Sequence, residues 1–221
     1  TNQIVPNKDI SITLNNSLKL TSNDEVITFV NRNLEPYRGY HIFMRSLPQI
    51  LQDNPNAQIL IVGGDGVSYG AAPKGNQSYK EKYIREVKNQ ISDSAWKRVH
   101  FLGLIPYTTF TALLQLSSVH IYLTYPFVLS WSLLEAMSAG CVIIASNTEP
   151  LQEVISNGYN GVLIDFFNYK DLADNVYKLL QDKNLRQSLS NKARSYVKEN
   201  FDLENVCLPS QIKWVESLLS K

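Results

Sequence analysis

The stretch VITFVNRNLEPYRGYHIFMRSLPQILQDNPNAQILIVGG, residues 26–64, decides the fold. It opens on a β-rich apolar run, VITFVN (26–31), and closes on another, QILIVG (58–63). Between them, from about Tyr40 to Asn54, the pattern is helical. Strand, helix, strand is a βαβ unit, and its two strands run parallel because the helix returns the chain to the end from which the first strand set out.

The same alternation continues through the chain. Apolar runs VHFLG (99–103), VHIYLTY (119–125), CVIIAS (141–146) and GVLID (161–165) alternate with helical stretches near 80–92, 107–117, 131–139 and 149–157. Six short apolar runs separated by helices predict an α/β, Rossmann-like, doubly wound parallel sheet with both faces covered. After Asp165 the chain reads as helix only, over Tyr169–Gln181, Lys183–Asn200 and Leu203–Leu219. The expected organisation is a polar segment 1–24 serving as a linker or as the edge of a preceding domain, a sheet domain over 25–182, and C-terminal helices over 183–221. Those helices would pack on the sheet or cross toward a neighbouring domain. A start at Thr1 suggests a piece of a longer chain.

Composition narrows the function classes. The 221 residues are 44% hydrophobic, enough for a sizeable core. Lys and Arg number 21 against 20 Asp and Glu, so no broad field argues for nucleic acid, and any anion site must be local. Cys141 and Cys207 stand far apart with no Cys/His cluster around them, which argues for a reducing compartment and against a structural metal. No run approaches a membrane span and no signal-peptide pattern opens the chain, so a soluble, cytoplasmic protein is expected.

In an open parallel sheet, ligands bind beyond the carboxyl ends of the strands, where helix N-termini present unpaired N–H groups. After the first strand, NRNLEPYRGY sets Arg32 and Arg38, followed by Gly39, before a helix. Two guanidinium groups there could clamp a diphosphate, with Gly39 letting the backbone approach. A solvated turn with an arginine paired to Glu35 would read the same way. GGDG (63–66), which holds Gly64, lacks dinucleotide-fingerprint spacing and is accounted for by turn chemistry, although Gly64 stays a candidate. Val67–Gln77 is Gly/Pro-rich and long for a βα connection, which favours a functional loop.

After the fourth strand, Ser130, Trp131 and Ser132 open a helix that carries Glu135. Ser132-x-x-Glu135 fits a capping box, but the same carboxylate could accept both hydroxyls of a ribose while nearby N–H groups face a phosphate. His41, His100 and His120 have no triad spacing and read as structural. No D-x-D pair suggests a metal-held diphosphate.

With these loops in view, the chain from about Val26 to Leu180 resembles the donor-binding, C-terminal half of retaining glycosyltransferases of the GT-B fold, family 4 (group 1). Asn31-Arg32 and Arg38-Gly39 match the family's Gly-Arg and Lys-Gly, and Val99 to Gly103 matches V-x-F-x-G. Glu135 to Gly140 matches the second half of E-x7-E…A-M-A-x-G, and Pro150 through Gly161 matches a later Pro-Glu pattern loosely. Where the family's first Glu would meet the transferred sugar stands Phe127, and Val128-Leu129-Ser130 replaces a Gly-Phe-Gly.

The resemblance implies sugar transfer from a UDP- or GDP-linked sugar to an acceptor with retention, as in polysaccharide biosynthesis, with no metal or cofactor. By that likeness Arg32 and Arg38 meet the diphosphate, Leu102 and Gly103 the base, Glu135 the ribose, and Phe127, Val128, Leu129 and Ser130–Ser132 the sugar and phosphates. The implied partners are the nucleotide sugar and an N-terminal acceptor-binding domain outside this chain, with room for peripheral contact at a membrane's inner face. The isolated piece would then bind nucleotide and transfer nothing. Phe127 motivates the alternative of a non-catalytic nucleotide-binding module. A third reading, an oxidoreductase on the same sheet, is disfavoured by NRNLEP where a dinucleotide fingerprint should stand.

Overall fold

The computed structural model describes residues 1–14, 17–126 and 129–219. The chain begins with a small antiparallel pair, β1 (Ser11–Leu14) and β2 (Leu18–Thr21). There follow β3 (Val26–Asn33), α1 (Tyr40–Asp53), β4 (Gln58–Gly64), α2 (Tyr79–Val87), α3 (Asp93–Trp96) and β5 (Val99–Gly103). The second half runs α4 (Tyr107–Leu116), β6 (Val119–Tyr122), α5 (Trp131–Ala139), β7 (Ile143–Ser146), α6 (Glu149–Gln152) and β8 (Val162–Ile164). Helices α7 (Tyr169–Gln181), α8 (Lys183–Phe201) and α9 (Leu208–Leu219) end it.

Strands β3 to β8 form one parallel sheet in the order β5-β4-β3-β6-β7-β8, as the alternation of apolar runs and helices predicts. Side chains alternate across the pleat, so each buried strand needs apolar residues on both faces. Ile27, Phe29, Ile59 and Ile61 meet α1, α2 and α7 on one face, where the ring of Phe29 stacks on Phe43 at 4.5 Å. On the opposite face Val26, Leu60 and Val62 meet α4 and the β1–β2 pair, while Ile143 and Ala145 meet α5 and α8. α8 is thereby part of the fold: Arg194 donates to the carbonyls of Ile4 and Ser138 and ties the helix to α5.

Two local expectations differ from the structure. Residues 1–24 are not simply a linker, because Leu14 and Leu20 are buried on the sheet with Ile10, Ile12 and Leu18 packed beside them. That apolar spacing of two is diluted by Asn, Ser and Thr and is easily overlooked. The helix expected over 149–157 stops at Gln152. The buried Asn160 side chain donates to the Val154 carbonyl and accepts from the Ser156 N–H, replacing helical hydrogen bonds with its own.

Gly39 fixes the link between β3 and β6. It follows a 3-10 turn over Pro36–Arg38, holds φ at 70° and caps α1. A Cβ on Gly39 would lie 2.2 Å from the Leu123 Cβ, and that neighbour is itself buried. Gly39→Ala should therefore lower stability by about 2–4 kcal/mol, the sum of left-handed strain and overpacking, as measured by urea unfolding.

His100 and His120 have the structural roles expected of them: His100 Nε2 meets Gln58 Oε1 at 2.9 Å, and His120 Nδ1 meets Thr28 Oγ1 at 2.8 Å. Burial lowers the pKa of His120 from 6.5 to about 4. The unfolded chain therefore binds more protons between those values, and stability present above the unfolded pKa is lost as pH falls toward the folded one. His120 should contribute a loss of about 3 kcal/mol across that window, absent from a His120→Gln variant in urea titrations at successive pH values.

Candidate functional site

The strand order reverses between β3 and β6, so the connections after these two strands diverge to opposite sides and leave a crevice at their carboxyl ends. Two hydrogen bonds sew its floor. The Tyr125 N–H donates to the Tyr37 carbonyl at 2.9 Å, and Arg38 Nη1 donates to Thr124 Oγ1 at 3.2 Å. A cleft of about 480 Å³ opens above, with Arg32, Arg38 and Tyr69 on one side, Ile105 and Tyr107 on another, and Ser130 and Ser132 at the start of α5.

Arg38 is held in place before any ligand arrives, because its guanidinium also lies over the Tyr69 ring at 5.0 Å. Tyr69 belongs to the long loop after β4, and a carboxylate anchors that loop. Glu35 is fully buried, and its Oε2 accepts from the Ser68 and Tyr69 N–H groups at 2.9 and 3.0 Å. Asn33 adds a 2.7 Å bond from Nδ2 to Ser68 Oγ. The Glu35 carboxylate thus secures the loop to the crevice. Gly64 sits beneath this anchor: a Cβ there would come within 2.8 Å of Asn33 Oδ1. Sequence reasoning marked the loop but considered Glu35 only as a partner for an arginine and missed Ser68 and Tyr69, since nothing in their spacing reveals a contact across some 33 residues.

At α5 the capping box does not form. The helix starts at Trp131 with Ser130 as its N-cap, so Leu133 holds the N3 position and Glu135 lies two residues too deep to reach back. Ser130 and Ser132 bond to one another through their hydroxyls at 3.0 Å, and Glu135 Oε1 accepts from the Tyr107 hydroxyl at 2.7 Å. That bond is the first cause of a raised Tyr107 pKa. Tyr107 stands on the cleft wall, so Glu135 is tied to the cleft through a phenol that the sequence did not single out.

The other expected residues are placed as follows. Gly103 turns the chain with φ at 65°, which brings Leu104, 73% exposed, and Ile105 to the cleft while Leu102 packs toward β1 and β2. Leu129 and Trp131 border a separate hollow of about 430 Å³ on the far flank of α5, which Glu135 also reaches. Trp131 is 86% exposed there. Phe127 and Val128 lie outside the described residues.

Comparison with known proteins bears on the family and the fold. The family described as "Glycosyl transferases group 1" matches residues 12–196. An uncharacterized glycosyltransferase of Methanocaldococcus jannaschii is 28% identical over 177 residues, which is 80% of this chain and 41% of that protein. Sucrose-phosphate synthase from Thermosynechococcus elongatus superposes with a TM-score of 0.73 at 21% identity, over 91% of this chain and 47% of that one. Anabaena HepE, solved in complex with UDP-glucose, gives 0.69 at 21% identity, over 90% of this chain and 50% of that one. The chain thus spans half or less of the length of these proteins, and its sheet and helical tail are those of one half of a GT-B architecture. With a family match that runs from the β1–β2 pair into α8, the chain belongs to the group 1 glycosyl transferases.

Proposed function

We propose that this chain is the nucleotide-sugar-binding half of a glycosyltransferase that moves a sugar from a UDP- or GDP-linked donor to an acceptor, with retention and without a metal. The observation that carries this reading is the convergence of Arg32 and Arg38 on one cleft opposite the start of α5. Charge that develops on a departing diphosphate would be met by two guanidinium groups and by the N–H groups of the first helical turn. Arg38, oriented by Thr124 and Tyr69, loses little freedom on doing so.

Glu135 would accept the ribose hydroxyls, with Tyr107 holding its carboxylate, and the Gly103–Leu104 turn would lie against the base. HepE, a structural neighbour, was solved with UDP-glucose, a ligand of this chemical class. The acceptor-binding half would lie in a further domain, and hexosyl transfer would need both. A module that binds nucleotide without transferring sugar is the second reading, favoured by Phe127 where a sugar-binding carboxylate is expected.

Titration calorimetry with uridine and guanosine diphosphates tests the diphosphate assignment. An Arg32→Ala, Arg38→Ala double variant should lose about tenfold or more in affinity, from two charge-assisted contacts, and affinity equal to that of the unaltered chain would refute the assignment. Tyr107→Phe should weaken uridine diphosphate about threefold and leave its 2′,3′-dideoxy analogue unchanged, because the phenol acts through a carboxylate that only the hydroxyls engage. An equal loss for both analogues would remove Tyr107 from this role. Incubating the full-length protein with a nucleotide-sugar panel then separates the two readings, with released nucleoside diphosphate and glycosylated acceptor as the signs of transfer.

A further inference from the structure

A second hollow, of about 270 Å³, lies past the cleft at the carboxyl ends of β7 and β8. Tyr125, Phe166 and Phe167 form one wall, and Asn147, Thr148 and Asp165 supply polar groups. The rings meet edge to face: Tyr125 and Phe166 at 5.5 Å and 90°, Phe166 and Phe167 at 5.0 Å and 89°. Phe166 is buried beneath the other two, which stay open, Tyr125 at 43% and Phe167 at 61% exposure.

Thr148 makes the hollow more than a crease. It is the N-cap residue of α6, a position where a threonine hydroxyl ordinarily accepts from the helix, yet its side chain makes no such bond. The residue is 8% exposed, and its Oγ1 is buried with no hydrogen-bond partner among the described residues. A buried hydroxyl left unpaired is costly, and here it lines a hollow that a ligand can enter.

The neighbouring polar groups are each half used. Asn147 Oδ1 accepts from Gln152 Nε2 at 2.7 Å, which leaves the amide NH2 to donate. Asp165 Oδ1 accepts from the Phe167 N–H at 2.7 Å, which leaves its other oxygen to accept. A donor, an acceptor and a hydroxyl that can be either stand beside aromatic faces in a hollow slightly smaller than a drug-sized pocket. Those features suit a pyranose ring, whose C–H face packs on the negative face of an aromatic ring while its hydroxyls both donate and accept. A phosphate would meet the Asp165 carboxylate, and an ammonium group offers only donors and would leave the Asn147 NH2 unmet.

We infer that this hollow is a saccharide subsite, separate from the nucleotide cleft, which seats one pyranose unit against Tyr125 and Phe167 with Thr148 Oγ1 on a sugar hydroxyl. Pro126 lines it and also lines a hollow between Tyr37 and Tyr69, which shares Arg38 and Ser68 with the cleft. The rim therefore leads from the diphosphate arginines to the subsite. Assigning the bound saccharide to the acceptor side rests on the transferase reading, while its binding does not.

Amide-resolved NMR of the 221-residue chain tests both separately, with methyl glycosides of glucose, mannose and N-acetylglucosamine as probes, alongside choline and uridine diphosphate. At least one glycoside should shift the amides of 147–149 and 165–167, while uridine diphosphate shifts those of 32–39 and 130–135. Thr148→Val, which removes only the hydroxyl and no capping bond, should weaken the glycoside about fivefold, and Phe167→Ala about tenfold, with uridine diphosphate binding and melting temperature unchanged. Glycosides that shift no amide at this hollow or only those of the cleft, equal binding by Thr148→Val, or a response to choline instead would each overturn the subsite. Failure of uridine diphosphate alone would count against the transferase reading and leave the subsite standing.

Discussion

Where β3 and β6 lie side by side, Gly39 comes so close to Leu123 that even a methyl group would not fit between them. The rest of the cleft depends on that approach. It lets the turn after β3 hydrogen-bond to the segment after β6, and it places Arg38 where Thr124 can hold it. A side chain at position 39 would force the turn outward and separate the arginine from its support. The sheet supplies the crevice through its strand order, but the glycine sets how narrow the crevice is.

A second constraint is electrostatic. Burying a carboxylate is expensive unless strong hydrogen bonds replace its water. Glu35 receives two, from consecutive backbone N–H groups of a loop that would otherwise have little to hold it. Those two bonds offset part of what it costs to bury the carboxylate and to order the loop, while Glu35 Oε1 stays buried with no hydrogen-bond partner among the described residues. Tyr69 then lies over Arg38, so the Glu35 anchor bears on the residue best placed to meet a ligand.

The fold was legible because Val26–Asn33 and Gln58–Gly64 are apolar on both faces and are separated by a single helix, a pattern few architectures tolerate. Arg32, Arg38, Ser130 and Ser132 were legible from their position after strands, and the structure brings all four to one cleft. The bond from Tyr107 to Glu135, the loop anchor at Glu35 and the unspent hydroxyl of Thr148 were not. Each depends on side chains that meet across distant segments, and residue spacing along one element carries no trace of such meetings. The early truncation of α6 shows the same limit at short range, since one buried asparagine outweighs the helical preference of the residues around it.

The central pairing also bears on the order in which the molecule assembles. Thr28 and His120 face one another across β3 and β6 although 92 residues separate them, whereas the β4 partner of β3 lies only a single helix away. Closing the longer loop costs more chain entropy, and its contacts return nothing until it is closed. The two βαβ halves can therefore gather first, each around its own strands, with the junction between them forming last. Both walls of the cleft stand on that junction, so a chain arrested one step short of the native state would hold most of its secondary structure and still have nowhere for a nucleotide to bind.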